Sequence, residues 1–139
     1  EEIDLHCVSW GNHDRLDKAP FVLVHGLASN ARLWDGVAMQ LVRRGHPVVA
    51  VDQRGHGRST KPDHGFDMQT VAHDLALLID SLDFDRPVVV GQSWGANVVI
   101  DNSHFVNFDR TIVRTEDQLA APRIANVVKV DRNDCDSSG

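Results

Sequence analysis

The sequence predicts an α/β fold, a mostly parallel sheet between helices in three layers. Three observations carry this. Short uninterrupted apolar runs, Phe21–Val24, Val48–Val51 and residues 88–90, read as strands buried on both faces. Segments with a 3.6-residue apolar period alternate with them, which implies a parallel sheet joined by right-handed helical crossovers. Between the third run and the next apolar stretch lies Gly91-Gln92-Ser93-Trp94-Gly95, a Gly-x-Ser-x-Gly pattern in strand–turn–helix context.

Taken in order, residues 5–10 read as a strand and Gly11-Asn12-His13-Asp14 as a turn. Phe21–Val24 is the first buried strand. A helix follows over residues 33–44, because Trp34, Val37, Ala38, Leu41 and Val42 fall at i, i+3, i+4, i+7 and i+8. Arg43-Arg44 closes it where cations suit the dipole, and Gly45 stands at C′. The strand Val48–Val51 runs into the Gly-rich loop of residues 52–59. A second helix spans residues 68–82, with Asp67 as N-cap and Val71, Leu75, Leu78, Ile79 and Leu82 on one face. The strand over residues 88–90 and a helix over residues 94–100 complete three strand–helix units. Regularity then weakens. Residues 101–104 are a polar break, and residues 111–114 and 126–130 are strand candidates. The stretch between them contains Pro122 and is too short for a crossover helix. Residues 133–139 read as a frayed polar tail.

The 139 residues suit one domain, expected to span residues 1–139. A net charge of −6 argues against nucleic acid and anionic membranes as partners. No run approaches the ~20 apolar residues that cross a bilayer, and Glu1-Glu2-Ile3-Asp4 is unlike a signal peptide. Cys7 and Cys135 show no framework spacing and read as free thiols of a reducing, cytoplasmic setting. Nothing in the sequence sets an oligomeric state. The eight histidines include no i, i+4 pair, so no metal or other cofactor is expected. The stretch from Gly55 to Lys61 lacks the spacing of a phosphate loop.

A serine hydroxyl is a poor nucleophile unless it is exposed, oriented and deprotonated by a neighbour. A sharp strand-to-helix turn exposes it, small residues two positions to either side let backbones pass closely, and the following helix presents free N–H groups. Two further elements fall at strand carboxyl ends, where open α/β sheets bind ligands: Val24-His25-Gly26-Leu27-Ala28, and the loop from Asp52 to Ser59 with its D-x-R-G-x-G-x-S pattern.

In this order and spacing the three motifs resemble the α/β-hydrolase superfamily, over about residues 20–100. The resemblance implies a three-layer α/β-hydrolase-like sheet, here truncated and without a lid. It implies Ser93 as nucleophile and the Leu27 and Trp94 amides as the oxyanion hole. His25, Gly26, Gly91 and Gly95 then shape the site. Asp52, Arg54, His56 and Ser59 resemble the family's structural loop. Some relatives place Asp where Ser93 stands, so serine favours acyl transfer on a small-molecule ester or related substrate. The setting of Asp117 after residues 112–114 resembles that of the family's acid, with Glu116 as fallback, although Thr115 replaces the usual glycine. The family's base follows the final strand, yet no histidine follows residue 130. His104, His56 and His25 remain, none matching the base position. Three readings stay open: a serine hydrolase, a non-catalytic binding module of the same fold, and a fragment with no activity of its own.

Overall fold

The computed structural model describes residues 2–14, 17–102, 111–115 and 123–124. Six strands form one sheet in the order β1-β3-β2-β4-β5-β6. They are β1 (Cys7–Trp10), β2 (Phe21–Val24), β3 (Val48–Val51), β4 (Val88–Gln92), β5 (Thr111–Thr115) and β6 (Arg123–Ile124). Strands β3, β2, β4 and β5 run parallel, with Val24 opposite both Val51 and Gly91, and Gly91 opposite Val113. The outer pairings, β1 with β3 and β5 with β6, are antiparallel. The sheet is therefore mostly parallel, as the apolar runs predict. The two-residue β6 is a strand the sequence does not announce. The expected strand at residues 126–130, the polar tail, Cys135, His104, Glu116 and Asp117 all lie outside the described residues.

Alternation along the strands divides the core into two halves. Val22, Val24, Val49 and Val51 face α2 (Met68–Ser81) and α3 (Trp94–Asn102), where Val71, Leu75, Ile79, Val98 and Val99 pack against them. Leu23, Val48 and Ala50 point the other way, onto Ala31, Trp34 and Ala38. Each fully buried valine, leucine or isoleucine among them contributes about 1.5–3 kcal/mol relative to exposure. The three layers follow directly from the period of two in the strands and the apolar stripes of the helices.

The helix expected over residues 33–44 is two elements. A 3₁₀ turn, Ala31–Trp34, leads into α1, Asp35–Arg43. Both helix types bring i and i+3 onto one face, so the apolar pattern does not separate them. What tightens the first turn is side-chain capping: Asn30 Oδ1 accepts Arg32 N–H at 2.9 Å, and Asp52 Oδ1 accepts Ala31 N–H at 2.7 Å. At the other end Gly45 N–H donates to Val42 O at 2.8 Å, the closure expected of a C′ residue. In α2, Asp67 accepts Thr70 N–H at 2.9 Å as the predicted N-cap.

Strand β1 starts at Cys7 rather than residue 5, because the preceding residues tie down the loop after β3. His6 N–H donates to Ser59 Oγ at 2.8 Å, Asp4 N–H to Thr60 Oγ1 at 3.0 Å, and Asp52 N–H to His6 O at 2.9 Å. Among the described residues no helix is long and apolar enough to cross a membrane.

Candidate active site

The parallel register places the ends of β2 and β4 side by side, so that His25-Gly26 lies against Gln92-Ser93. Ser93 follows β4 directly, is exposed, and has φ +52°. That left-handed conformation disfavours a side chain and marks a turn held by its surroundings. The helix starts at once: Ala96 N–H donates to Ser93 O at 2.9 Å.

Packing explains both flanking glycines. A Cβ on Gly91 would run into the Gly95 carbonyl and Ala96 Cα. A Cβ on Gly95 would run into the carbonyls of Val24 and His25. The first turn of α3 thus lies directly on the end of β2. Gly26 approaches just as closely: a Cβ there would lie 2.8 Å from Gln92 Oε1 and 3.1 Å from Ser93 Cβ.

His25 is fully buried, and both of its ring nitrogens are committed. Gln53 N–H donates to Nε2 at 3.1 Å, so the proton sits on Nδ1, which donates to Gly26 O at 2.6 Å. The neutral imidazole is therefore built in. Burial lowers its pKa most, and nearby His56 adds to that, against the opposing pull of the Gly26 bond and Asp52. Since the native state disfavours the charged form, the unfolded chain binds the extra proton first. This contribution to stability is complete above the ordinary value of 6.5 and is lost as pH falls toward the lowered native value. Urea midpoints between pH 8 and pH 5 should decline in the parent chain and more weakly in His25→Gln. Parallel declines would disprove the assignment.

His56 packs edge-on to His25, ring centres 5.0 Å apart. It too uses both nitrogens: Nδ1 donates to Arg54 O at 3.0 Å and Nε2 accepts Ala28 N–H at 3.3 Å. Beneath them Asp52, 3% exposed, accepts the Ala31 and Arg58 amides and His6 Nδ1. Ser59 Oγ donates to Asp52 O at 2.5 Å. Arg54 ties this loop to α2 through a two-pronged pair with Asp74, at 2.5 and 2.9 Å. The motif of residues 52–59 is thus a girder under the site. Its acidic core also affects Cys7, whose thiol is pushed up to about 11 by burial first and by the Asp52 charge second.

The structure brings His25, Gly26, Gly91, Ser93 and Gly95 into contact, with Leu27 and Trp94 next along the chain. Leu27 is 62% exposed at the mouth. Residues that sequence reasoning missed are His6, Gln53 and Gln92. A glutamine immediately before the serine was visible, but its partner lies 66 positions away. Among the described residues no cluster of three or more His, Cys, Asp or Glu side chains could hold a metal.

The profile of the alpha/beta hydrolase fold family matches residues 19–100. The chain belongs to that family. This alpha/beta hydrolase fold chain is 41% identical over 90 residues to a non-heme chloroperoxidase of Streptomyces lividans, covering 65% of this chain and 32% of that protein. It is 36% identical over 91 residues to epoxide hydrolase A of Mycobacterium tuberculosis, covering 64% and 28%. It thus spans about a third of the length of the curated relatives it matches. Among solved structures, an esterase from Exiguobacterium antarcticum superposes with a TM-score of 0.72 at 24% identity, covering 80% of this chain and 41% of that one. A bromoperoxidase from Bacillus anthracis does so with 0.67 at 30% identity, covering 73% and 35%. The architecture is that of the alpha/beta hydrolase fold, and the motifs of residues 25–27, 52–59 and 91–95 all lie in the matched stretch.

Proposed function

We propose that this chain carries the nucleophile-bearing half of a serine hydrolase acting on a small ester or related acyl substrate. The observation that supports it most is the exposed Ser93 in a left-handed turn, packed against Gly26. In this reading Ser93 Oγ attacks the substrate carbonyl carbon, and the carbonyl oxygen becomes an oxyanion. The Leu27 and Trp94 amides meet that charge, a kind of interaction that strengthens only as charge develops and is typically worth ~3–4 kcal/mol per donor. The tetrahedral intermediate collapses to an acyl-serine, releasing the alcohol, and water then frees the acid. Serine at position 93 also separates this chemistry from that of an aspartate nucleophile.

His25 and His56 do not take the serine proton in this scheme, because each has both ring nitrogens bonded to backbone. The scheme assigns no described histidine as its base, His104 lies outside the described residues, and Asp117 remains the proposed acid. General-base help is worth ~10²–10⁴-fold, so hydrolysis by these 139 residues alone is expected to be slow beside a full-length relative. A fluorophosphonate probe and a short activated ester test the scheme on the chain and on Ser93→Ala. Labelling and hydrolysis that vanish in the variant support it. Equal rates in both would remove Ser93 from the chemistry and favour the binding-module reading.

A further inference from the structure

Two glutamine side chains hold the peptide unit between His25 and Gly26 from opposite ends. Gln53, the second residue beyond β3, donates from Nε2 to the His25 carbonyl at 2.5 Å. Gln92, the last residue of β4, accepts Gly26 N–H on Oε1 at 3.1 Å. The next peptide unit, whose N–H belongs to Leu27, has its carbonyl bonded by His25 Nδ1 at 2.6 Å. Two successive peptide planes of one turn are thereby fixed. Of these three clamps, Gln92 alone comes from the strand that leads directly into Ser93.

From this geometry we infer that Gln92 is a positioning residue, which sets the Leu27 amide relative to the Ser93 hydroxyl. The inference rests on the proposed nucleophile and oxyanion donors. Among the described residues Gly26 N–H has the Gln92 side chain and no backbone carbonyl as its acceptor, so a backbone left alone could rotate that plane and swing the following amide away. Gln92 supplies an acceptor at the right reach, and the missing Cβ of Gly26 lets its amide in. Because Gln92 and Ser93 are adjacent on one backbone, any shift of the elbow carries the oxyanion turn with it. Gln53 and His25 stiffen the turn from the β3 side and cannot register it against Ser93. Misplacing a catalytic donor by about 1 Å can slow a reaction as much as 100-fold.

The test uses the whole chain, Gln92→Met, which keeps length and loses the acceptor, and Gln92→Glu, which keeps an acceptor oxygen. Three quantities are read: the maximal rate and half-saturating concentration of fluorophosphonate labelling, the Gly26 amide exchange rate by NMR, and the thermal midpoint. Gln92→Met should label about 10- to 100-fold more slowly at an unchanged half-saturating concentration. Its Gly26 amide should exchange about tenfold faster. Gln92→Glu should keep that amide protected. Parental labelling in Gln92→Met overturns the inference, whether or not the thermal midpoint falls. Unchanged Gly26 exchange overturns it as well. If the parent itself shows no Ser93-dependent labelling, the nucleophile reading fails and this one with it. A parent that labels while Gln92→Met matches it defeats the clamp alone.

Discussion

Gly95→Ala is expected to destabilise the fold by about 3 kcal/mol or more, at the upper end of overpacking effects. The added methyl meets the carbonyls of Val24 and His25, which are backbone and cannot swing aside as a side chain would. Relief requires α3 to move off the end of β2, and with it the turn that exposes Ser93. Gly36→Ala is the internal control. It lies in α1, a Cβ there meets nothing within 4 Å, and alanine should stabilise the helix by about 0.5–1 kcal/mol. Urea unfolding of both variants should therefore give shifts of opposite sign. A Gly95→Ala midpoint close to that of the parent would mean that the elbow is less tightly packed than its geometry states.

The second large effect is expected at Asp52. Its carboxylate accepts Ala31 N–H at 2.7 Å, Arg58 N–H at 3.0 Å and His6 Nδ1 at 2.9 Å, with almost no exposure. Asp52→Ala leaves these donors without their acceptor, at about 1–3 kcal/mol for each that stays buried, so a total loss of about 3–5 kcal/mol is expected. Burial alone would raise the carboxyl pKa, but the two amides and His6 together outweigh it and hold the group below its ordinary 3.8. The sign follows. The native state keeps the charge to lower pH than the unfolded chain does, so the stabilisation is complete above 3.8 and is lost as pH falls through the native value. Asp52→Asn should flatten that acid limb of the stability curve, and an unaltered limb would refute the role given to this carboxylate.

Much of this arrangement was legible because the signals are local. Runs of four apolar residues gave β2 and β3, a 3.6-residue stripe gave α2, and Asp67 and Gly45 marked helix ends through bonds to residues three positions away. The Gly-x-Ser-x-Gly pattern implied a sharp strand-to-helix turn, and Ser93 stands at one with φ +52°. What stayed hidden depends on partners distant in sequence. The bond between His6 and Asp52 spans 46 positions, that from Gln53 to His25 spans 28, and that from Gly26 to Gln92 spans 66. Pattern reading has no period for such pairs. The tautomer of His25 was equally invisible, since it is fixed by the Gln53 amide. The split between the 3₁₀ turn and α1 was missed for a different reason: both helices share the i, i+3 spacing that the apolar residues display. Asp117 stays an expectation, as it falls outside the described residues.

The strand order has a consequence for how the chain is made. Strand β2 lies between β3 and β4, so both of its neighbours are synthesised after it. Phe21–Val24 leaves the ribosome as an apolar segment with two open edges, and β1 likewise waits for β3. Closing these pairs joins residues tens of positions apart, a step slowed by loop entropy, and unpaired apolar strands invite association meanwhile. A nascent chain halted before residue 88 would hold β2 with one edge unsatisfied. Pulse-labelled hydrogen exchange on arrested chains should see the Phe21 and Leu23 amides, which face β3, protected first, and those of Val22 and Val24, which face β4, only after Gly91 has emerged.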